Sequence, residues 1–209
     1  MITQNHRIIG LAGGIASGKS CVRKMFEALG VPCIDIDILS RSIHQNPQHP
    51  ACAELQQKFP QQMTAQGRLQ RASLRHYFSR FPEANQSLKS IFKPYVMQAL
   101  LAWTSQQSSV YVVWESALLI EEKLLEDAMA HQHRTLWVKT TAENQMKRLG
   151  MRYPDWSLEE LNRVVALQYT IDQAQPLIDD IVENNADFDS LKNQVDQLHQ
   201  NYLKWGAST

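Results

Sequence analysis

Ile8-Ile9-Gly10-Leu11-Ala12-Gly13-Gly14-Ile15-Ala16-Ser17-Gly18-Lys19-Ser20 is the stretch that decides the reading of this chain. Its first five residues are a short apolar run and read as a buried strand. Gly13 to Ser20 match the pattern G-x-x-x-x-G-K-[ST]. Glycines permit backbone dihedrals closed to other residues, so successive amide N–H groups can turn inward on phosphate oxygens. Cys21 to Leu29 has helical character, and a helix starting there adds its N-terminal partial positive charge. In this setting Lys19 supplies a mobile ammonium for the β- and γ-phosphates of ATP, and the Ser20 hydroxyl supplies a magnesium ligand. Lys19 also has a catalytic reading, since its charge can stabilise the transferring phosphoryl group. The pattern is specific for nucleotide binding and says little about which reaction follows.

Working outward, Gly30 suits the left-handed cap after the helix. Val31 to Ile36 reads as a second strand, with Pro32 at its start. Strand, loop, helix and strand at this spacing make a βαβ unit. Pro47 and Pro50 punctuate a loop, and the pattern from Ala51 to about Gln107 is mostly helical. Val110 to Trp114 is a continuous apolar run of the kind found in central parallel strands. Leu118 to Ala130 reads as helix, Thr135 to Val138 as strand and Ala142 to Leu149 as helix. Gly150 to Trp156 has turn chemistry. Ser157-Leu158-Glu159-Glu160 fits a capping box opening a helix to about Tyr169. Ile178 to Val182 is a last short strand, and Asp189 to Lys204 a closing amphipathic helix. Alternating strands and helices predict an α/β domain with a mostly parallel sheet.

The chain has 209 residues, enough for one sizeable core with a small inserted subdomain. It carries 21 basic and 21 acidic residues, so the net charge is zero and nucleic-acid binding gains no support. Cys21, Cys33 and Cys52 are an odd count without C-x-x-C spacing, which argues against a zinc site or disulfide framework and for reduced thiols in a cytoplasmic protein. The N-terminal residues show neither a signal peptide nor a membrane span.

Carboxylates supply the remaining chemistry. Asp35 and Asp37 end the second strand in Ile34-Asp35-Ile36-Asp37, and residues two apart on a strand share a face. Ligands of open α/β sheets bind at the carboxyl ends of strands, so either aspartate is placed to take a proton from an attacking hydroxyl. The alternative is that they cap the next helix. Glu115 follows the apolar strand, where an acidic residue of a P-loop protein often holds magnesium.

With these residues in place, the chain resembles the dephospho-coenzyme A kinase family over nearly its whole length. The resemblance is carried by residues 10–20, by Leu29-Gly30-Val31-Pro32 leading to Asp35-Ile36-Asp37, and by Arg41. It continues through Gly67-Arg68-Leu69, Leu74-Arg75, Leu118-Leu119 with Glu121, Asp179-Asp180-Ile181 and Asn184-Asn185. It implies a P-loop, three-layer α/β fold with a parallel five-stranded sheet. Core is expected over about 1–46 and 108–209, a helical substrate-side insertion over about 47–107, and a small lid over about 148–173. It also implies transfer of the γ-phosphate of ATP, with Mg2+, to the 3′-hydroxyl of the ribose of dephospho-CoA by a monomer or weak homo-oligomer. The resemblance makes Asp37 the base. The implied site residues are then Asp37, Lys19, Arg148 and Arg152 for catalysis, and Ser20 and Glu115 for the metal. Gly13, Gly14, Ala16, Ser17, Gly18, Lys19, Ser20 and Cys21 hold the nucleotide. Arg71 and Arg75 are candidates for the anionic groups of dephospho-CoA.

Several positions depart from the family. Ala16 stands where Gly is usual, Cys21 where Thr is usual, Glu115 where Asp is common and Ala117 where Pro is usual. After Gln168 the family tends to carry basic residues, and this chain has Tyr169-Thr170-Ile171-Asp172. The expectation that follows is that Arg148 and Arg152 together neutralise phosphate charge when the lid closes. The rival readings are a P-loop kinase of nucleosides or nucleoside monophosphates, and a non-catalytic nucleotide-binding relative. A GTPase switch is excluded, because neither Asn-Lys-x-Asp nor Asp-x-x-Gly occurs.

Overall fold

The computed structural model of the chain describes residues 7–68, 70, 82–128, 132–166 and 168–207. They divide into two compact units, one of residues 1–35 and 104–209 and one of Ile36–Trp103.

The first unit is built on a five-stranded parallel sheet of order β2-β3-β1-β4-β5. Its strands are β1 (Arg7–Ala12), β2 (Cys33–Asp35), β3 (Tyr111–Glu115), β4 (His133–Lys139) and β5 (Asp180–Glu183). Every residue of β1 and β3 is buried, which is why these strands read as continuous apolar runs rather than alternating ones. On one face α1 (Lys19–Ala28) and the closing helix (Phe188–Ala207) cover the sheet. Ile9, Leu11, Val22, Phe26, Val113, Leu136, Val195 and Tyr202 interlock there. On the other face the segment around Leu119 and Leu125 presses on the sheet. A Cβ at Gly10 would lie 2.5 Å from Leu125 and 2.6 Å from Leu119, so any larger residue there would push those side chains off the sheet. Helices on both faces of a parallel sheet make the expected three-layer α/β fold.

The helix expected over Leu118 to Ala130 is shorter. Residues 118–123 form turns, Lys123 takes a left-handed backbone (φ 53°), and a single helical turn follows at Leu124–Asp127. A residue with a Cβ in that conformation cannot continue a right-handed helix. Further along lie the helices Ala142–Arg152, Leu158–Ala166 and Ile171–Ala174. The capping box at Ser157 forms: Glu160 Oε2 accepts from the Ser157 N–H at 2.8 Å, and Ser157 Oγ accepts from the Glu160 N–H at 3.2 Å.

The second unit holds α2 (Ile36–Gln45), α3 (Pro50–Lys58) and most of α4 (Pro82–Ser105). It begins at Ile36, ahead of the boundary expected near residue 47. The cause is the pairing of α2 with α3, where the Cys52 thiol reaches the carbonyls of Ile43 and His44 at 3.7 and 3.8 Å. The His44 ring also meets Phe92 edge-on at 5.7 Å. In chain order the remaining helices are α5 (Leu124–Asp127), α6 (Ala142–Arg152), α7 (Leu158–Ala166), α8 (Ile171–Ala174) and α9 (Phe188–Ala207). Arg71 and Arg75 lie outside the described residues.

Candidate phosphate-transfer site

The loop joining β1 to α1 has the form that the glycine pattern predicts. Gly18 takes a left-handed backbone (φ 104°) just before Lys19 opens α1. A Cβ there would lie 2.0 Å from Asn184 Nδ2, so side chains are barred. The amide of Asn184 in turn donates to the Ser17 carbonyl at 2.7 Å. The α1 N-terminus has no side-chain cap and no acidic residue in its first turn, leaving its N–H groups and dipole to an anion. Ser17 is 1% exposed and its Oγ is without a hydrogen-bond partner among the described residues. A buried hydroxyl is ordinarily satisfied, so this one fits a ligand-binding loop. The Lys19 ammonium, itself buried, donates to the carbonyls of Gly13 at 2.8 Å and Gly14 at 3.0 Å. These weak acceptors are ones a phosphate oxygen would replace with a charged partner.

Ala16 sits in the left-handed region at φ 58°. Glycine adopts that conformation freely and alanine does not, so this chain carries backbone strain in the loop.

Beside the loop, Ser20 Oγ donates to Glu115 Oε1 at 2.9 Å. The two expected metal ligands are therefore brought together. Sheet register explains it: Leu11, Glu115 and Asp35 sit abreast on β1, β3 and β2, at the carboxyl ends of the strands. Arg23, which the sequence reading passed over, donates from Nε to Glu115 Oε2 at 2.5 Å and also pairs with Glu27. Burial works against the charge of Arg23, but its bonds to Glu115 and Glu27 outweigh that and hold its pKa above the ordinary value. The donor set of one hydroxyl and nearby carboxylates is the hard-oxygen chemistry that suits Mg2+ shared with phosphates. Among the described residues there is no cluster of three metal-ligating side chains.

Asp37 is not on a strand. β2 ends at Asp35, and Asp37 is an exposed residue in the first turn of α2, within the second unit. The shared strand face expected for Asp35 and Asp37 therefore does not exist. The Ile-Asp-Ile-Asp alternation imitates a strand, but Ile36 begins a helical face continued by Ile43 and His44.

The two arginines expected to act from a lid part company. Arg148 on α6 donates from one nitrogen to the carbonyls of Ala16 (3.5 Å) and Ser17 (3.2 Å) and to Thr140 Oγ1 (3.3 Å). From its other terminal nitrogen it donates to the Asn184 carbonyl at 3.0 Å. Arg152, one turn on, is exposed and lies over the Tyr153 ring at 5.5 Å. Cys21 is half-buried against the core under α1.

Two glutamines complete the surroundings. Gln145 on α6 donates to the Ile15 carbonyl at 2.9 Å. Gln168 accepts from the Ile15 N–H at 2.6 Å and donates to the Ala117 carbonyl at 3.0 Å. Sequence patterns gave no sign of either role, because neutral amides carry no charge or motif signal. Beside them a cavity of about 340 Å³ opens between the loop and the end of β4, lined by Gly14, Ser17, Trp137, Gln145, Gln168 and Ile171.

A parallel sheet whose first strand runs through a G-x-x-x-x-G-K-S loop into a helix, with an acidic residue on the adjacent strand end, defines a P-loop nucleotide-binding protein. Comparison with known proteins narrows the class. A family model described as dephospho-CoA kinase matches residues 7–190. Dephospho-CoA kinases of Shigella flexneri and Escherichia coli K12 are each 34% identical over 198 residues, covering 94% of this chain and 93% of theirs. The chain belongs to the dephospho-CoA kinase family. Among solved structures, TT1252 from Thermus thermophilus superposes with a TM-score of 0.81 at 26% identity, covering 95% of this chain and 98% of that one. The dephospho-CoA kinase of Campylobacter jejuni does so at 0.68 and 19% identity over the same shares, a likeness of fold.

Proposed function

We infer that this chain transfers the γ-phosphate of ATP to the 3′-hydroxyl of the ribose of dephospho-CoA, giving coenzyme A and ADP. The observation that carries the reading is the phosphate loop with Lys19, Ser20 and Glu115 gathered at the strand ends, in a chain matched to the family over residues 7–190. Gly13, Gly14 and Ala16 to Cys21 hold the triphosphate through backbone amides and the α1 dipole. Lys19 exchanges its loop carbonyls for phosphate oxygens and stabilises the charge that develops in transfer. Ser20 and Glu115 are the residues that would hold Mg2+, which neutralises phosphate charge when bound. Arg23 holds the Glu115 carboxylate in place.

Asp37 is the proposed base on family resemblance, and Asp35, abreast of Glu115, is the alternative carboxylate. The helical unit is the proposed substrate side. The segment of about 148–173 is the proposed lid, with Arg148 its link to the loop. No helix among the described residues is long and apolar enough to cross a membrane. With its free thiols, a cytoplasmic enzyme that is monomeric or weakly self-associating is the matching proposal.

A coupled assay of ADP release, with and without dephospho-CoA, tests the function. Release that depends on dephospho-CoA, with a product bearing a 3′-phosphate, is expected. Equal or greater release with nucleosides would overturn the substrate assignment.

A further inference from the structure

The backbone of Ile15 is gripped at both its polar groups. Its N–H donates to Gln168 Oε1 at 2.6 Å, and its C=O accepts from Gln145 Nε2 at 2.9 Å. The orientation of the Gln168 amide is fixed at its other end, where Nε2 donates to the Ala117 carbonyl. Gln145 packs so closely that a Cβ at Gly14 would lie 2.7 Å from its Nε2. The next residue is Ala16, held at φ 58°. A left-handed backbone disfavours a residue with a Cβ by about 5- to 30-fold in population. Such a conformation persists only where its surroundings over-determine it.

We propose that Gln145 and Gln168 are positioning residues that hold the phosphate loop in its receptive shape against the strain at Ala16. They do so from α6 and from the residues just beyond α7, so the proposed lid segment and the loop are mechanically joined through the backbone of one residue, Ile15. The inference rests on this loop being the ATP site. When a binding-competent form is only partly populated, apparent affinity falls by that fraction. Without a clamp, the loop falls to the population that Ala16 allows, and ATP affinity should drop by about 5- to 30-fold. Glycine at position 16 removes the strain, so it should also remove most of the need for the clamp.

The test is ATP binding by calorimetry in magnesium buffer for wild type, Gln168→Ala, Gln145→Ala, Ala16→Gly and the two double variants. The expected result is a Kd raised about 5- to 30-fold in each glutamine variant. In the Ala16→Gly background the same substitutions should change Kd by less than about threefold, a non-additivity that a merely structural role would not give. An unchanged Kd in both single variants overturns the proposal, as does an equal loss in the alanine and glycine backgrounds. If one glutamine variant does not fold, the other decides. Because binding and not transfer is read, an enzyme inactive on dephospho-CoA would refute the function above and still give this ranking.

Discussion

Replacing Arg148 by alanine removes a guanidinium that serves four acceptors at once: the Ala16 and Ser17 carbonyls, Thr140 Oγ1 and the Asn184 carbonyl. A hydrogen bond from a charged donor contributes about 1.5–3 kcal/mol. The side chain is partly exposed, and the contacts at 3.3 and 3.5 Å are weak, so only those to Ser17 and Asn184 count substantially. After discounting for solvent screening, about 2–4 kcal/mol of stability should go. For a chain of this size that is a fall in Tm of roughly 4–16 °C. Arg152→Ala is the control. Its exposed contact with the Tyr153 ring contributes about 0.5–1 kcal/mol, a few degrees at most. Arg148→Lys should fall between, since an ammonium keeps the charge and loses the fork that spans two directions. Differential scanning calorimetry reads all three, and steady-state kinetics should follow the same ranking. Arg148→Ala should raise KM for ATP and lower kcat, because the loop itself is loosened. If Arg148→Ala melts no lower than Arg152→Ala, Arg148 does not brace the loop and the reasoning fails.

Lys19→Ala should abolish transfer and leave the circular dichroism spectrum native, since its ammonium bonds to carbonyls of the loop and holds no sheet or helix together; near-normal turnover would remove the loop from the mechanism. Asp37→Asn should keep ATP binding and lower kcat by about 10²–10⁴-fold, and a larger loss in Asp35→Asn would move the base to the strand end. His199, bonded to the Tyr111 hydroxyl, is held below its ordinary pKa by burial, with Asp196 partly offsetting. The unfolded imidazole therefore takes a proton first, so stability is full above about pH 6.5 and falls below it until the folded histidine also titrates. In His199→Asn the dependence of Tm on pH just below 6.5 should flatten, and an unchanged slope would count against the assignment.

The chain by itself determined what depends on neighbours in sequence. Five strands alternating with helices were legible because β1 and β3 are buried throughout and read as apolar runs. The phosphate loop was legible because its glycines, Lys19 and Ser20 act within one turn of backbone. Even Ala16 was visible as a departure, though its strain was not, since φ is a property of the folded loop. The sequence misread Asp37 because alternation over four residues imitates a strand, while the buried face of α2 emerges only over a longer span. Tertiary structure alone decided which distant side chains reach the loop. Gln168 lies 153 positions from Ile15 and Gln145 lies 130 away. Arg148 and Arg152 look alike in the sequence, yet one is bound to the loop and the other rests on Tyr153. The physical reason is that a hydrogen bond depends on where a donor ends up and in what direction. For partners so far apart along the chain, the packing of α6 and α7 beside the sheet sets that position, and no local pattern encodes it.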